Sequence, residues 1–457
     1  MGLQVDRADF ADEEYERFED RLRASLEGLR QLLSRPSFGE GETTIGAELE
    51  LHLIDEQGNP APVNQTVHSK AADPRLTLEL NRFNLEINTA PTALAGTPFA
   101  DLGAELEAAL KVTRRAAGSC GARVVAIGIL PTLREEDLTA AALTEKSRYR
   151  ALSAGLRRIR REPFRLHIEG EDILEMAADE VTFEGANASF QLHLRVHPAR
   201  FADTYNAAQI AIAPALAIAA NSPFFLGRRL WEETRIALFR QAVDHRGASL
   251  KDDWRPSRVS FGHGFVRKGA LELFAEAATL HEPLLPVLGS EDPLAVVRAG
   301  GVPELGELRL HQSTVWHWNR PVFDAAAGGH LRIEMRAFPS GPSVVDMMAN
   351  AAFQLGLVLG MEGHISAFLQ GMTFTQARRN FYEAARWGPE AELLWPPGPG
   401  QRAVPVAARR LLERLLPVAE RGLRSYGTDS GQAARLLGVI ADRAASGRTG
   451  AWVQRAL

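Results

Sequence analysis

Cysteine is nearly absent from the 457 residues: Cys120 stands alone. That excludes an intrachain disulfide and a cysteine-rich zinc site, and it fits a reducing compartment, the cytoplasm. Cys120 itself reads as a small core residue. Long apolar runs are also missing. The longest, IAIAPALAIAA from Ile210, is broken by Pro214 and falls short of the ~18 residues of a spanning helix. It reads as a buried core helix, and no membrane association is expected. The start, MGLQVDRADFADEEYERFEDRL, lacks the apolar core of a secretory signal, and Asp6 occupies the position where myristoylation wants Ser or Thr. No large excess of one charge exists: 52 basic residues face 57 acidic ones, a net −5. A general affinity for nucleic acid is thereby excluded. There is no G-x-x-x-x-G-K-[ST] loop, so nucleotide binding of the P-loop type is out, and no G-x-S-x-G elbow. GHGFVRKG from Gly262 mimics a glycine-rich loop only in part and reads as a turn.

What is present is alternation. After an amphipathic helix over 12–34, TTIGAELELHLID sets Ile45, Ala47, Leu49, Leu51 and Leu53 on one side and Gly46, Glu48, Glu50 and His52 on the other. Residues 76–89 read as two short strands with a break near Asn81–Asn84. They carry Glu79 and Glu86, whose odd spacing requires the break or a hairpin to restore a common direction. A helix over 97–118 and a strand ARVVAIGI from Ala122 come next. A helix over 139–162 follows, and then ANASFQLHLRVH with Gln191, His193 and Arg195 on one face. The pattern predicts a helical region over 198–242 interrupted at Asn221-Ser222-Pro223, strands over 311–319 and 330–338, and mostly helix after Pro342. The 330–338 strand presents His330, Arg332, Glu334 and Arg336 together. Strands separated by helices, without all-apolar runs, predict an α+β protein with a mainly antiparallel sheet.

Any one of these polar faces is ordinary for a solvated strand. Together they present glutamates, one histidine and arginines, a donor set that suits Mg²⁺ or Mn²⁺ when a curved sheet brings it inside.

The ordered segments GAELELHLID, NLEINTAP, SFQLHLRV, NSPFFLGRRLWEETRIALFRQ, HQSTVWHWNRP, HLRIEMRAFPSGPSVVDMMANAAF and SGRTGAW resemble the glutamate–cysteine ligase family 2, the carboxylate–amine ligases of the glutamine synthetase fold superfamily. The resemblance implies a curved antiparallel half-barrel funnel covered by helices, with helical additions at both ends. Residues 1–370 would form the catalytic domain, and 371–457 a helical portion packed on it. It implies ATP with two or three Mg²⁺ ions, Mn²⁺ substituting. ATP would phosphorylate a carboxylate, and an amine would displace phosphate to give an amide. Glutamate and cysteine are the default pair, with another acid and amine as the alternative. Glu48, Glu50, Glu79, Glu86 and Glu334 match the family's metal-binding acids, Gln191 or His193 its histidine-bearing strand, and Arg332 and Arg336 the phosphate-holding arginines. The resemblance also raises Trp316 and Arg320 for the nucleotide, and Asn221, Arg228 and Arg235 for the substrate. The partners expected are small amino-acid-like molecules, with a homodimer allowed.

Each such residue has a plainer reading. Arg235 can pair with Glu232 or Glu233 within a helix, and half the tryptophans of such a strand belong in a core. RRIRRE from Arg157 reads as a solvated helix turn. His167, His197, His245, His263 and His281 have no spacing that requires a metal. Three other functions were weighed against the ligase: a guanidino-kinase-like phosphotransferase on the same fold, a silent scaffold, and a metal-dependent hydrolase. The hydrolase would need neither ATP nor the Arg332–Arg336 pair.

Overall fold

The computed structural model describes residues 3, 5–160, 162–178, 181–244, 246, 256–398 and 400–457; His245 lies outside them. Eight strands make the main sheet. They are β1 (Thr44–Ile54), β2 (Leu76–Leu78), β3 (Asn84–Asn88), β4 (Thr92–Ala93), β5 (Arg123–Val125), β6 (Ser189–Val196), β7 (Asn319–Asp324) and β8 (His330–Pro339). Their order is β7-β8-β6-β1-β3-β2, with β4 and β5 also paired to β1. Every pairing is antiparallel, as the alternation predicts. The main helices are α1 (Asp12–Leu33), α2 (Pro98–Gly118), α3 (Phe201–Ala219), α4 (Ala270–Leu280), α5 (Val344–Met361), α6 (Ala408–Ser425) and α7 (Ser430–Ser446).

The apolar face of the sheet is dry. Leu49, Leu51, Leu53, Leu85, Ile87, Phe190, Leu192, Leu194, Leu331, Ile333 and Met335 are all buried. Each contributes roughly 1.5–3 kcal/mol by leaving water. Helix α3 packs on β8 and on α5 and is buried nearly all round, Pro214 included. That is why its sequence has no polar stripe. Helix α6 lies along α5 at a glycine contact: a Cβ on Gly422 would sit 2.1 Å from the Gly356 carbonyl oxygen. Val344–Leu369 is long and apolar enough to cross a membrane by composition, but 83 % of its most apolar stretch is buried inside the fold.

The predicted elements differ from the observed ones where alternation misleads. Residues 311–319 are not one strand. A helix, Gly306–Gln312, comes first, Trp316–His317 pairs in parallel with Val259–Ser260 outside the main sheet, and Asn319 already begins β7. The break in the 198–242 helical region is longer than Asn221–Pro223, because a hairpin of Phe224–Phe225 and Arg228–Arg229 intervenes before Thr234–Ala242. The helix placed over 139–162 is Ser147–Ile159, preceded by short 3₁₀ turns. The strand from Ala122 shrinks to Arg123–Val125. RRIRRE is not simply a solvated turn. The helix stops at Ile159, and Arg160 is buried, donating to the carbonyls of Glu162, Pro163, Asp244 and Arg246. Cys120 is only partly buried, packed against the core.

Candidate active site

Residues directly opposed in antiparallel strands project to the same face. The register sets Thr77 opposite Glu86, Glu86 opposite Glu50, Glu48 opposite Gln191, His193 opposite Glu334, and Glu334 opposite Arg320. One polar row therefore runs across β2, β3, β1, β6, β8 and β7. The hairpin of β2 and β3 resolves the odd spacing of Glu79 and Glu86: Glu79 falls just past the end of β2 and acts electrostatically on Glu50. A bulge shapes the far end. Arg336 and Ala337 together oppose Gln191, so Phe338, and not Ala337, lies across from Phe190. The simple alternation expected for 330–338 holds only as far as Arg336.

One end of the row is supplied with cations. Arg320 grips both oxygens of Glu334, one of them at 2.9 Å, and Arg336 reaches Glu334 Oε1 at 2.5 Å. Burial disfavours the charge on Glu334, yet the two guanidiniums hold its carboxyl far below the usual range. His193 Nε2 lies 3.0 Å from Glu48 Oε1. Burial works against Glu48 as well, and the His193 ring overrides it, lowering that carboxyl. Glu48, His193 and Glu334 offer ligand atoms that all lie within 4.8 Å of one another.

The other end has acids without ion-pair partners, although Arg336 acts on Glu50 and Glu184 and Lys146 on Glu79 from further off. Glu50 accepts from the Ser189 N–H at 2.6 Å and from Gln191 Nε2 at 2.9 Å. Glu86 accepts from Asn88 Nδ2 at 2.8 Å and from the Thr77 hydroxyl at 3.2 Å. Among the described residues, Glu50, Glu79, Glu86 and Glu184 make no ion pair; those of the row join His193 to Glu48, Arg320 and Arg336 to Glu334, and Arg332 to Asp324. Burial, then repulsion from Glu50, pushes the Glu79 carboxyl up to about 8. Burial and the charges of Glu48, Glu79 and Glu50 raise Glu86 well above the usual range. Burial, then Glu50 and Glu79, brings Glu184 to about 8. Converging, desolvated carboxylates that make no ion pair among the described residues fit hard divalent ions with oxygen ligands. The Glu48–His193–Glu334 group, oxygen with one imidazole, fits Mg²⁺ or Mn²⁺ as well.

Two cavities meet on this row. One of about 380 Å³ is lined by Gly46, Glu48, Asn88, His193, Asp324 and Arg332. A second of about 200 Å³ is lined by Glu48, His193, Gln312, Arg320, Arg332 and Glu334. Clefts of about 510 and 720 Å³ lie elsewhere and touch none of the row's acids. Arg332 borders both chambers. It touches Asp324 at 3.2 Å through one terminal nitrogen, and its Nε is buried without a partner.

The row brings together Glu48, Glu50, Glu79, Glu86, Gln191, His193, Arg320, Arg332, Glu334 and Arg336. Gln191 spans it as a spacer: its amide donates to Glu50, and its oxygen accepts from Arg336 at 2.6 Å. Four other expected site residues go elsewhere. Trp316 is buried against Phe239, ring centroids 6.1 Å apart, because its two-residue strand belongs to a separate pair. Asn221 is buried, with Nδ2 donating to the Ser340 carbonyl at 2.8 Å. Arg228 is exposed on the small hairpin. Arg235 is buried, with Nε 3.3 Å from Glu233 and NH2 donating to the Ala337 carbonyl, so the salt-bridged reading is the observed one. Glu184, on a 3₁₀ turn over Val181–Ala186, was missed because nothing alternates around it.

The family model described as Glutamate-cysteine ligase family 2 (GCS2) matches residues 44–456. No curated protein matches the sequence. A glutamate–cysteine ligase from Francisella tularensis, solved in complex with AMP, aligns with TM-score 0.56 and 11 % identity over 91 % of this chain and 84 % of its own. A bifunctional glutathione synthetase from Pasteurella multocida aligns with TM-score 0.50 and 11 % identity over 98 % of this chain but 50 % of that one. At such identities the likeness shows the fold, a curled antiparallel half-barrel covered by helices.

Proposed function

This chain belongs to glutamate-cysteine ligase family 2, and from that premise we propose that it joins the side-chain carboxylate of glutamate to the amine of cysteine through an acyl phosphate. The family makes it an ATP-dependent carboxylate–amine ligase acting on small molecules. The observation that carries the finer reading is the split polar row, with arginine-clamped acids at one end and acids without an ion-pair partner at the other. Another acid and amine pair in the same chambers is the alternative.

Glu48, His193 and Glu334 would hold one divalent ion, and Glu50, Glu79 and Glu86 the others. Bound there, Mg²⁺ neutralises phosphate oxygens that would otherwise repel the attacking carboxylate. Arg320 and Arg336 spend their donors on Glu334, so their role is to orient that carboxylate rather than to touch the nucleotide. Arg332, at the junction of the two chambers, is the arginine left to stabilise the transferring phosphoryl group. Gln191 keeps Glu50 and Arg336 apart at fixed positions. Two chambers that share Glu48, His193 and Arg332 can hold nucleotide and amino acid on opposite sides of the reacting atoms, which is the positioning an in-line transfer needs. Residues 1–370 would act as the catalytic unit, in the cytoplasm, with 371–457 supporting it from the helical side.

The test is to incubate the protein with ATP, Mg²⁺ and amino acids singly and in pairs, following ADP, phosphate and new amides by mass spectrometry. Glutamate labelled with oxygen-18 in its side-chain carboxylate should pass one label to phosphate. Phosphate release that needs no carboxylate, or no amide from any pair, would sink the reading.

A further inference from the structure

A second group of metal-type ligands stands apart from the polar row. His263 follows the short strand Val259–Ser260, Glu276 lies on α4, and His317 closes the strand Trp316–His317. Their ligand atoms all lie within 4.8 Å of one another. His263 Nδ1 is 2.9 Å from Glu276 Oε1, and the two imidazole rings meet edge-on with centroids 5.8 Å apart. No sequence spacing announces the group. Its members are 13 and 41 positions apart in the chain, and only the parallel pairing of the two short strands brings the histidines together.

An ordinary hydrogen bond accounts for His263 and Glu276, which are about a third and a quarter exposed. It does not account for His317. That ring is 1 % exposed, and neither of its nitrogens has a hydrogen-bond partner among the described residues. A buried imidazole with both polar atoms unsatisfied is costly. Here it also borders a carboxylate and a second imidazole.

We propose that His263, Glu276 and His317 form a zinc site, a two-histidine, one-carboxylate set that braces the wall of the catalytic cleft. The donor set is softer than the glutamate row and suits Zn²⁺, which takes nitrogen and oxygen ligands at ~2.0–2.1 Å in a tetrahedron. Ligand atoms around such an ion stand about 3.4 Å apart, close to the observed spread, and the two partly exposed members can swing to meet it. The open side faces solvent at His263, which leaves a fourth position for water. The ion would tie three elements, two of them next to the cleft. Helix α4 places Phe274 in the smaller chamber beside Glu48 and His193. His317 lies shortly before Arg320, which clamps Glu334. The role is structural, so its readouts do not depend on catalysis.

The experiment strips the full-length chain with a chelator, then titrates Zn²⁺ in the presence of saturating Mg²⁺, reading bound zinc by elemental analysis and the melting temperature in parallel. Wild type should retain about one zinc and melt higher with it. His263→Ala and Glu276→Gln, both partly exposed and so tolerant of substitution, should bind it more than about a hundredfold more weakly, beyond the roughly 10–100-fold loss of an outer-shell partner. Their melting temperature should no longer respond to zinc. Glu48→Gln should keep the zinc. Equal binding by wild type and both variants overturns the site. Zinc lost in Glu48→Gln but kept in His263→Ala would place the ion on the glutamate row and overturn it equally.

Discussion

The two ends of the polar row use one residue type in opposite ways. At Glu334, two arginines meet a fully buried carboxylate and keep it ionised. At Glu79 and Glu86, carboxylates face one another with no ion pair among the described residues, and burial raises both. Same chemistry and same sheet give opposite electrostatics, decided by which side chains the neighbouring strands set across the register. The first end is a finished ion-pair network. The second is stable in charged form only when cations from solution complete it.

Substitutions should separate the ends, beginning with catalysis. Glu48→Gln should lower kcat by about 10²–10³, the scale for losing one preorganised charge in an active site, with the far-ultraviolet circular dichroism unchanged. A smaller loss would mean that the Glu48–His193–Glu334 group does not hold a catalytic ion. The sharpest contrast comes next. Without metal, Glu334→Gln should destabilise by about 3 kcal/mol, since it leaves Arg320 and Arg336 without their anion. Glu86→Gln should do the reverse and stabilise by on the order of 1 kcal/mol, read as a higher melting temperature, because it removes one of several repelling acids. The same sign for both would erase the distinction.

Proton linkage provides a third test. Glu79 and Glu184, ordinarily near 4.5 and here about 8, bind protons more tightly in the folded than in the unfolded chain. Their contribution to stability is full below about 4.5 and is lost as pH rises through about 8. The metal-free melting temperature should therefore fall between those values, and Mg²⁺ should flatten the slope. The smallest effect runs the other way. His311, held neutral by burial with a pKa of about 4 against its ordinary 6.5, opposes folding once the unfolded chain protonates. His311→Gln should soften the loss of stability as pH drops from 6.5 toward 4, seen in acid melts.

Strand alternation was enough to place Glu48, Glu50, Gln191, His193, Arg332, Glu334 and Arg336 on one side of a sheet, because a period of two allows no other arrangement. It also predicted that the break or a hairpin must reconcile Glu79 with Glu86. It was blind where a side chain's partner comes from a distant element. Trp316 and Trp318 alternate like site residues but bury themselves against Phe239, and Arg235 spends its charge on Glu233. The choice between Gln191 and His193 could not be read from spacing, since both share a face. In the structure the Gln191 amide is committed to Glu50 and Arg336, while His193 meets Glu48. Glu184 and the His263–Glu276–His317 group depend on tertiary placement alone.

The buried Asn221 carries one more consequence. Its Oδ1 accepts from Gln454 at 2.8 Å, its Nδ2 donates to the Ser340 carbonyl, and the Ser340 hydroxyl donates to the backbone oxygen of Glu50 at 2.7 Å. A relay of three hydrogen bonds thus links residue 454 to a catalytic-row strand made some four hundred residues earlier. On the ribosome, that strand is synthesised long before its outermost buttress exists. A chain that stalls before 450–456 therefore carries the acids of the row without the Gln454 end of the relay behind the Glu50 backbone.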